Sequence, residues 1–113
     1  MKISILTLFP EMFEGPFAHS IIKHAVAKSL VSIDLINIRD FGVGKHKMVD
    51  DTPYGGGVGM VMRVDVIHEA IKATRIPGKR ERIMLMTASG HPFTQQKARF
   101  FSEFDHLIII CGH

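Results

Sequence analysis

Leu-Ile-Ile-Ile-Cys, residues 107–111, is a run of five apolar residues without a polar side chain. Side chains of a strand alternate between the two faces of a sheet, so such a run predicts a strand covered on both faces, as in parallel sheets. Apolar runs at Lys2–Leu8 and Ile83–Met86 predict two more strands. Val31–Ile38 alternates and then changes phase at Ile36, which predicts a strand containing an irregularity.

Helical patterns separate these strands. Apolar spacing predicts helices over Ser20–Leu30 and Asp65–Thr74, the second capped by Asp65, and Thr94 is the predicted cap of a third. The side chains predicted to face inward are Ile21, Ile22, Ala25, Val26 and Leu30, then Val66, Ile67, Ala70 and Ile71, and finally Ala98, Phe101 and Phe104. Alternating strands and helices predict one α/β domain with a largely parallel sheet and helices on both faces.

A glycine-dense stretch, Val49–Met60 (VDDTPYGGGVGM), lies within a segment, Gly42–Val61, that shows no periodicity. Glycine loses much backbone entropy on ordering, so this density indicates either a loop that approaches a ligand closely or a flexible surface connection. The neighbouring carboxylates and Tyr54 favour the ligand. Dinucleotide and Walker motifs are excluded, because Met62 replaces the third glycine of the first and His46 follows Gly44-Lys45 where the second needs Ser or Thr.

Composition limits the partners and the compartment. The 113 residues carry a net charge of +3, with basic clusters at Lys45–Lys47 and Arg75–Arg82 that suit either RNA phosphates or a solvated face. One cysteine allows no internal disulfide, and no run is long enough to cross a membrane, so we expect a cytoplasmic protein. His46, Asp50 and Asp51 are potential metal ligands of different types scattered along one loop, which is too weak a pattern to predict a metal site.

Ligands of open α/β sheets bind beyond the carboxyl ends of the strands. Here those ends are the Thr87–Gly90 loop and Cys111-Gly112-His113. Because the sequence stops inside its own predicted site, we expect it to be part of a longer protein.

Several strings together resemble the bacterial tRNA (guanine-N1)-methyltransferase family. They are Leu-Phe-Pro-Glu-Met-Phe at 8–13, Arg-Asp-Phe at 39–41, His46, Val-Asp-Asp at 49–51, Pro-Tyr-Gly-Gly-Gly-Val-Gly-Met at 53–60 and Cys-Gly-His at 111–113. The resemblance implies a homodimeric enzyme of the knotted SPOUT class. Such an enzyme would move a methyl group from S-adenosyl-L-methionine to N1 of the guanine 3′ of the anticodon, position 37 of tRNA.

The resemblance also implies roles for particular residues. Those of the cofactor loops are Leu85, Met86, Thr87, Ala88, Gly90, Gly112 and His113, although family members commonly carry Pro where this chain has Ala88. Those of the substrate site are His46, Asp50, Tyr54, Gly55, Gly56, Gly57 and Gly59. The family's catalytic Asp and Arg would lie beyond His113, so the 113 residues alone are expected to be inactive and to lack part of the knot.

Some alternatives stay open from sequence alone. Asp50 either contacts the guanine or caps its own loop, and Tyr54 either stacks on a base or packs within the loop. Met84 and Met86 are predicted to be core residues, Met86 with a backbone near the adenine. His24, His68 and His106 are predicted to lie at the surface or at strand ends. The competing functions are a non-catalytic RNA-binding or dimerisation module and, third, a nucleotide-binding hydrolase.

Overall fold

A computed structural model describes residues 1–13, 26–44, 49–51, 61–86 and 94–111, with the backbone alone at 50, 51 and 61. Among these residues, four strands form the main sheet: β1 (Lys2–Thr7), β2 (Ser32–Asn37), β5 (Glu81–Met86) and β6 (His106–Cys111). They are all parallel, in the order β2-β1-β6-β5. A separate antiparallel pair is formed by β3 (Asp50–Asp51) and β4 (Val61–Met62). The two α-helices that lie wholly within the described residues are α1 (Val64–Thr74) and α2 (Gln95–Ser102).

The predicted α/β class with a parallel sheet is confirmed, whereas the predicted irregularity in β2 is wrong. Pairing between β1 and β2 runs without interruption from Lys2 opposite Ser32 to Thr7 opposite Asn37. The phase change at Ile36 has another cause: from Leu35 to Asn37, consecutive residues are all half-buried. The carboxyl end of β2 is therefore covered on both faces, and apolar residues are favoured at successive positions there.

Helix α1 covers one face of the sheet. Val66 and Ala70 share a buried cluster with Leu6, Ile108 and Ile110, and Ile67 and Ile71 pack against its rim, as the sequence predicted. Leu6 and Ile108 are fully buried, and burial of such side chains contributes about 1.5–3 kcal/mol each. The cluster thus fixes α1 against the two central strands.

Helix α2 lies on the other face. Side chains of a strand alternate between faces, so Arg82 of β5 lies on the face of the sheet that Ile83 and Leu85 do not share. The Arg82 guanidinium lies over the ring of Phe100 in α2, which places α2 on that face. The predicted inward residues Ala98, Phe101 and Phe104 are half-buried. Helices therefore lie on both faces, as expected for a covered parallel sheet.

The helix starts show one correct cap and one wrong one. Thr94 is the N-cap of α2, and its hydroxyl accepts a hydrogen bond from the backbone N–H of Lys97. At α1 the N-cap residue is Arg63, and Asp65, predicted as the cap, lies in the first turn. Its carboxylate accepts the N–H of Val66 and pairs with the Arg63 guanidinium, so it stabilises the amino-terminal end from inside the helix.

The connection from α1 to β5 is a turn that its residues dictate. Pro77 presets the backbone, Gly78 has φ +81°, and the N–H of Lys79 bonds the carbonyl of Ile76 at 3.3 Å. Pro followed by Gly at positive φ is the signature of a type II turn. This turn delivers the chain to the start of β5.

The first predicted helix falls largely outside the described residues, since Ser20–Ala25 are not among them. Val26 and Ala27 are helical, but Val26 and Leu30 are exposed and not buried as predicted. Ser29 has φ 58°, a left-handed conformation that ends the helix before Leu30. Within the described ranges, no helix has the length and apolar character needed to span a membrane.

Candidate functional site

The carboxyl ends of the four parallel strands meet at one edge of the sheet. At that edge β5 and β6 are neighbours, with Leu85 opposite Ile110 and Met86 opposite Cys111. The structure therefore brings together the points where the two predicted cofactor loops begin. The other residues predicted there, Thr87, Ala88, Gly90, Gly112 and His113, lie outside the described residues.

The β3–β4 pair closes the base of the glycine-rich stretch. Asp50 pairs with Met62 and Asp51 with Val61, and the N–H of Arg63 donates to the carbonyl of Val49 at 2.6 Å. Gly42–Val61, which shows no periodicity in the sequence, therefore contains regular structure at Asp50–Asp51 and at Val61. Of the predicted substrate residues, Asp50 is placed in β3 by its backbone. His46, Tyr54, Gly55, Gly56, Gly57 and Gly59 lie outside the described residues.

An apolar cavity of about 260 Å³ joins these two features. Its walls are Met62 from the base of the glycine-rich stretch, Leu85 and Ile110 from the sheet, and Val64 and Ile67 from α1. Leu85 is 65% exposed, because β5 is an edge strand and nothing among the described residues covers its outer side. The cavity thus joins the strand that leads into the first predicted cofactor loop to β4, the short strand that follows the predicted substrate stretch.

Charged groups beside the cavity are held in a fixed pair. Arg63 donates from Nε and from a terminal nitrogen to the two carboxylate oxygens of Asp65, both at 3.1 Å. These bonds, helped by the N–H of Val66, outweigh partial burial and lower the pKa of the Asp65 carboxyl. The two-pronged geometry orients the Arg63 side chain where the chain leaves β4 for α1.

Cys111 ends β6 at the same edge. It is half-buried, and burial raises the pKa of its thiol above the usual value. A thiol with a raised pKa carries little thiolate at neutral pH and is a poor nucleophile. The described surroundings of Cys111 therefore do not activate its thiol as a nucleophile.

The turns after β1 and β2 are capped by side chains of their own strands. The hydroxyl of Thr7 accepts the N–H of Phe9 at 3.1 Å, and the amide oxygen of Asn37 accepts the N–H of Arg39 at 3.0 Å. Short 3₁₀ turns follow at Pro10–Phe13 and Ile38–Phe41. Two of the strings that carry the family resemblance are thus turns at the carboxyl edge.

The methionine prediction is half right. Met84 is half-buried, whereas Met86 is exposed, since it is the last residue of an edge strand.

Among the described residues no group of three His, Cys, Asp or Glu side chains could hold a metal ion.

A buried polar network at the opposite, amino-terminal edge was missed by sequence reasoning. His106 is 1% exposed; its Nδ1 lies 2.6 Å from the Glu81 carboxylate and its Nε2 lies 2.7 Å from the Ser4 hydroxyl. His106 does lie at a strand end, as predicted, but not at the surface, whereas His68 is exposed and His24 is not described. The sequence signal for the burial of His106 was the alternation of strand side chains, since His106 shares one face of β6 with the apolar Ile108 and Ile110.

Glu81 is the centre of this network. Its carboxylate also accepts the N–H of Ile76 at 2.7 Å and the Nε–H of Arg75 at 3.3 Å. Burial by itself would raise the pKa of Glu81, but the bonds from Ile76, His106 and Arg75 hold it below its ordinary value. Three donors on one nearly buried carboxylate tie β5 to β6 and to the end of α1.

The described residues form an α/β protein with an apolar cavity at the carboxyl edge of its parallel sheet. The family model described as tRNA (Guanine-1)-methyltransferase TrmD matches residues 1–113. The chain belongs to this family.

Curated relatives agree with that assignment. The chain is 52% identical to the tRNA (guanine-N(1)-)-methyltransferase of Desulforamulus reducens, 50% identical to that of Pelotomaculum thermopropionicum and 45% identical to that of Staphylococcus haemolyticus. In each comparison the whole chain is matched, and it spans 45%, 46% and 46% of the relative, respectively. The chain thus covers less than half the length of these proteins.

Proposed function

We propose that the protein transfers a methyl group from S-adenosyl-L-methionine to N1 of guanine 37 in tRNA. Family membership supports guanine-N1 methylation of tRNA as the class of reaction. The observation that carries the proposal in this chain is the cavity in which Met62, below the glycine-rich stretch, lies beside Leu85 at the end of β5. A methyltransferase must hold donor and acceptor side by side, and the cavity adjoins both β4, which follows the glycine-rich stretch, and β5, which leads into the first predicted cofactor loop.

The described residues fit one part of the proposed cofactor. Leu85, Ile110 and Met62 offer aliphatic walls suited to a flat adenine ring. A volume of about 260 Å³ is below the roughly 300–1,000 Å³ of sites that enclose a whole ligand, so the cavity would take the ring and leave the polar part to other residues. Bound there, the cofactor would supply an electrophilic methyl group.

The guanine is assigned to the glycine-rich stretch. Glycines at 55, 56, 57 and 59 would let a base lie against backbone, and Asp50, placed at the foot of this stretch by pairing with Met62, would contact the guanine edge. Guanine N1 carries a proton at neutral pH, so the reaction also needs a base. We assign Asp50 to substrate contact and not to that role.

The remaining parts of the proposal follow from the resemblance. The protein would work as a homodimer in the cytoplasm, and the described strands would form part of a SPOUT knot. The order β2-β1-β6-β5 leaves β5 at an edge of the sheet, where its free backbone groups could pair with a further strand.

The test uses a hybrid protein in which residues 1–113 replace the matching segment of the Desulforamulus reducens relative. The hybrid is expected to transfer labelled methyl groups from S-adenosyl-L-methionine to an unmodified tRNA transcript. Leu85→Gln, which puts an amide into the cavity wall, is expected to raise the KM for the cofactor.

The matched control is Leu30→Gln, since Leu30 is 63% exposed and lies outside the cavity. Equal KM values for the two variants would refute the assignment of the cavity. A folded hybrid that binds tRNA without methylating it would favour a non-catalytic RNA-binding module.

A further inference from the structure

Two arginines and two phenylalanines form a stacked surface between β5 and α2, here called the Arg–Phe ladder (Arg80, Arg82, Phe100 and Phe104). The Arg80 guanidinium lies 4.9 Å from the centre of the Phe104 ring, and that of Arg82 lies 5.6 Å from the centre of the Phe100 ring. The two rings meet edge to face at 5.3 Å. Arg80 lies just before β5 and Phe104 just after α2, so the ladder runs across the start of the strand and the end of the helix.

The ladder is anchored by backbone bonds. Asp105, just before β6, accepts the N–H of Arg80 on its carboxylate at 3.0 Å, and its own N–H donates to the Arg80 carbonyl at 2.8 Å. The N–H of His106 reaches the same carbonyl at 3.2 Å. These bonds fix the backbone of Arg80, the residue whose side chain lies over the Phe104 ring.

The ladder is exposed, and its two guanidinium groups have at most one distant ion-pair partner among the described residues. Phe100 is 44% exposed, and Arg80 pairs with Glu103 only at 3.9 Å with both side chains mostly in solvent. Within the described ranges no carboxylate lies in ion-pairing distance of Arg82. A guanidinium whose face rests on a ring still presents its N–H edge, which is the geometry that binds phosphate with two hydrogen bonds.

We propose that the Arg–Phe ladder binds the tRNA substrate, with Arg80 and Arg82 on backbone phosphates and the exposed ring of Phe100 against an unpaired base. The proposal rests on the proposed function. Charge complementarity selects RNA, because clustered cations with an exposed aromatic ring are the combination that binds unpaired RNA strands.

The position of the ladder agrees with this role. Arg82 and Met86 lie on the same face of β5, four residues apart, which is about 13 Å at the rise of a strand. An RNA strand that crosses the ladder can therefore reach the carboxyl edge of the sheet, where the methyl transfer is proposed.

The experiment measures the affinity of the hybrid protein for an unmodified tRNA transcript at several salt concentrations. Arg82→Gln is expected to weaken binding and to lower the slope of log affinity against log salt by about 0.7–0.9, the loss for one phosphate contact. Arg82→Lys and Phe100→Leu keep the charge, so binding is expected to weaken at an unchanged slope.

The matched control is Lys72→Gln, which removes one exposed positive charge from α1, away from the ladder. If Arg82→Gln and Lys72→Gln have the same affinity and slope while the hybrid methylates tRNA, the ladder is refuted and the proposed function stands. If the ladder variants instead change self-association in sedimentation at constant tRNA affinity, the surface binds protein and the proposal is wrong. Failure of the unsubstituted hybrid to methylate tRNA counts against the proposed function alone.

Discussion

Replacing Glu81 with alanine is expected to destabilise the chain far more than the same replacement at the surface. The Glu81 side chain is 7% exposed and is the acceptor for two donors, the ring of the buried His106 and the N–H of the half-buried Ile76. Loss of the carboxylate leaves both without a partner. A shift of the His106 proton to Nε2 does not help, because Nδ1 then becomes the unsatisfied atom.

The magnitude follows from the number of orphaned groups. Each costs about 1–3 kcal/mol, so Glu81→Ala is expected to lower the free energy of unfolding by about 2–6 kcal/mol. With a denaturant slope of about 1.5 kcal/mol per M, the urea midpoint moves down by at least ~1 M. Glu81→Gln keeps the shape and one acceptor, so its loss is expected to be smaller.

The assay is urea unfolding of the chain at neutral pH, followed by circular dichroism. Glu103→Ala is the matched control, because that carboxylate is exposed and its ion pair with Arg80 spans 3.9 Å, which predicts a loss of at most about 1 kcal/mol. Losses for Glu81→Ala and Glu103→Ala that agree within about 0.5 kcal/mol would refute the reasoning. If Glu81→Ala does not fold, the comparison of Glu81→Gln with Glu103→Gln decides.

The other predictions concern pH, the thiol and the glycine-rich stretch. The pKa of Glu81 is lower in the folded chain than its ordinary value of 4.5. The stabilising contribution of Glu81 is therefore complete above pH 4.5 and is lost as the pH falls through the folded-state value. The difference in unfolding free energy between wild type and Glu81→Gln should shrink below pH 4.5, and a constant difference in acid titrations contradicts this. Burial raises the pKa of Cys111, so a thiol reagent at neutral pH is expected to react more slowly with the native chain than with the urea-unfolded chain, and equal rates would place the thiol at the surface. Gly59→Val in the hybrid protein should lower kcat/KM for tRNA without changing the melting temperature, whereas an unchanged kcat/KM would make the stretch a mere connection.

The strands and the α2 cap could be predicted because their signals are local. Residues 107–111 are apolar on both faces of the strand. Thr94 lies three residues before Lys97, whose backbone N–H its hydroxyl accepts. The Pro77-Gly78 turn is likewise encoded by adjacent residues.

What could not be predicted depends on contacts between distant segments. Ser4 and His106 are 102 positions apart, so neither reveals from the sequence that it is the other's partner. The β3–β4 pair is two residues long on each side, too short to leave a periodic pattern. The exposure of Leu85 depends on the strand order, which places β5 at an edge.

The candidate site shows the same division. The family resemblance implied separate roles for Leu85 and Asp50, one at the cofactor and one at the substrate, and these roles stay predictions. Their segments come together only because Met62, which pairs with Asp50 in the short ribbon, reaches the cavity wall beside Leu85. A sequence gives no measure of that distance.

The location of the transferred methyl group tests the central claim most directly. The hybrid protein is incubated with labelled S-adenosyl-L-methionine and two tRNA transcripts that differ only in carrying guanine or adenine at position 37, and the product nucleosides are separated. The proposed function predicts 1-methylguanosine from the first transcript and no incorporation into the second. Equal incorporation into both transcripts, or a methyl group at another position of the base, would contradict it.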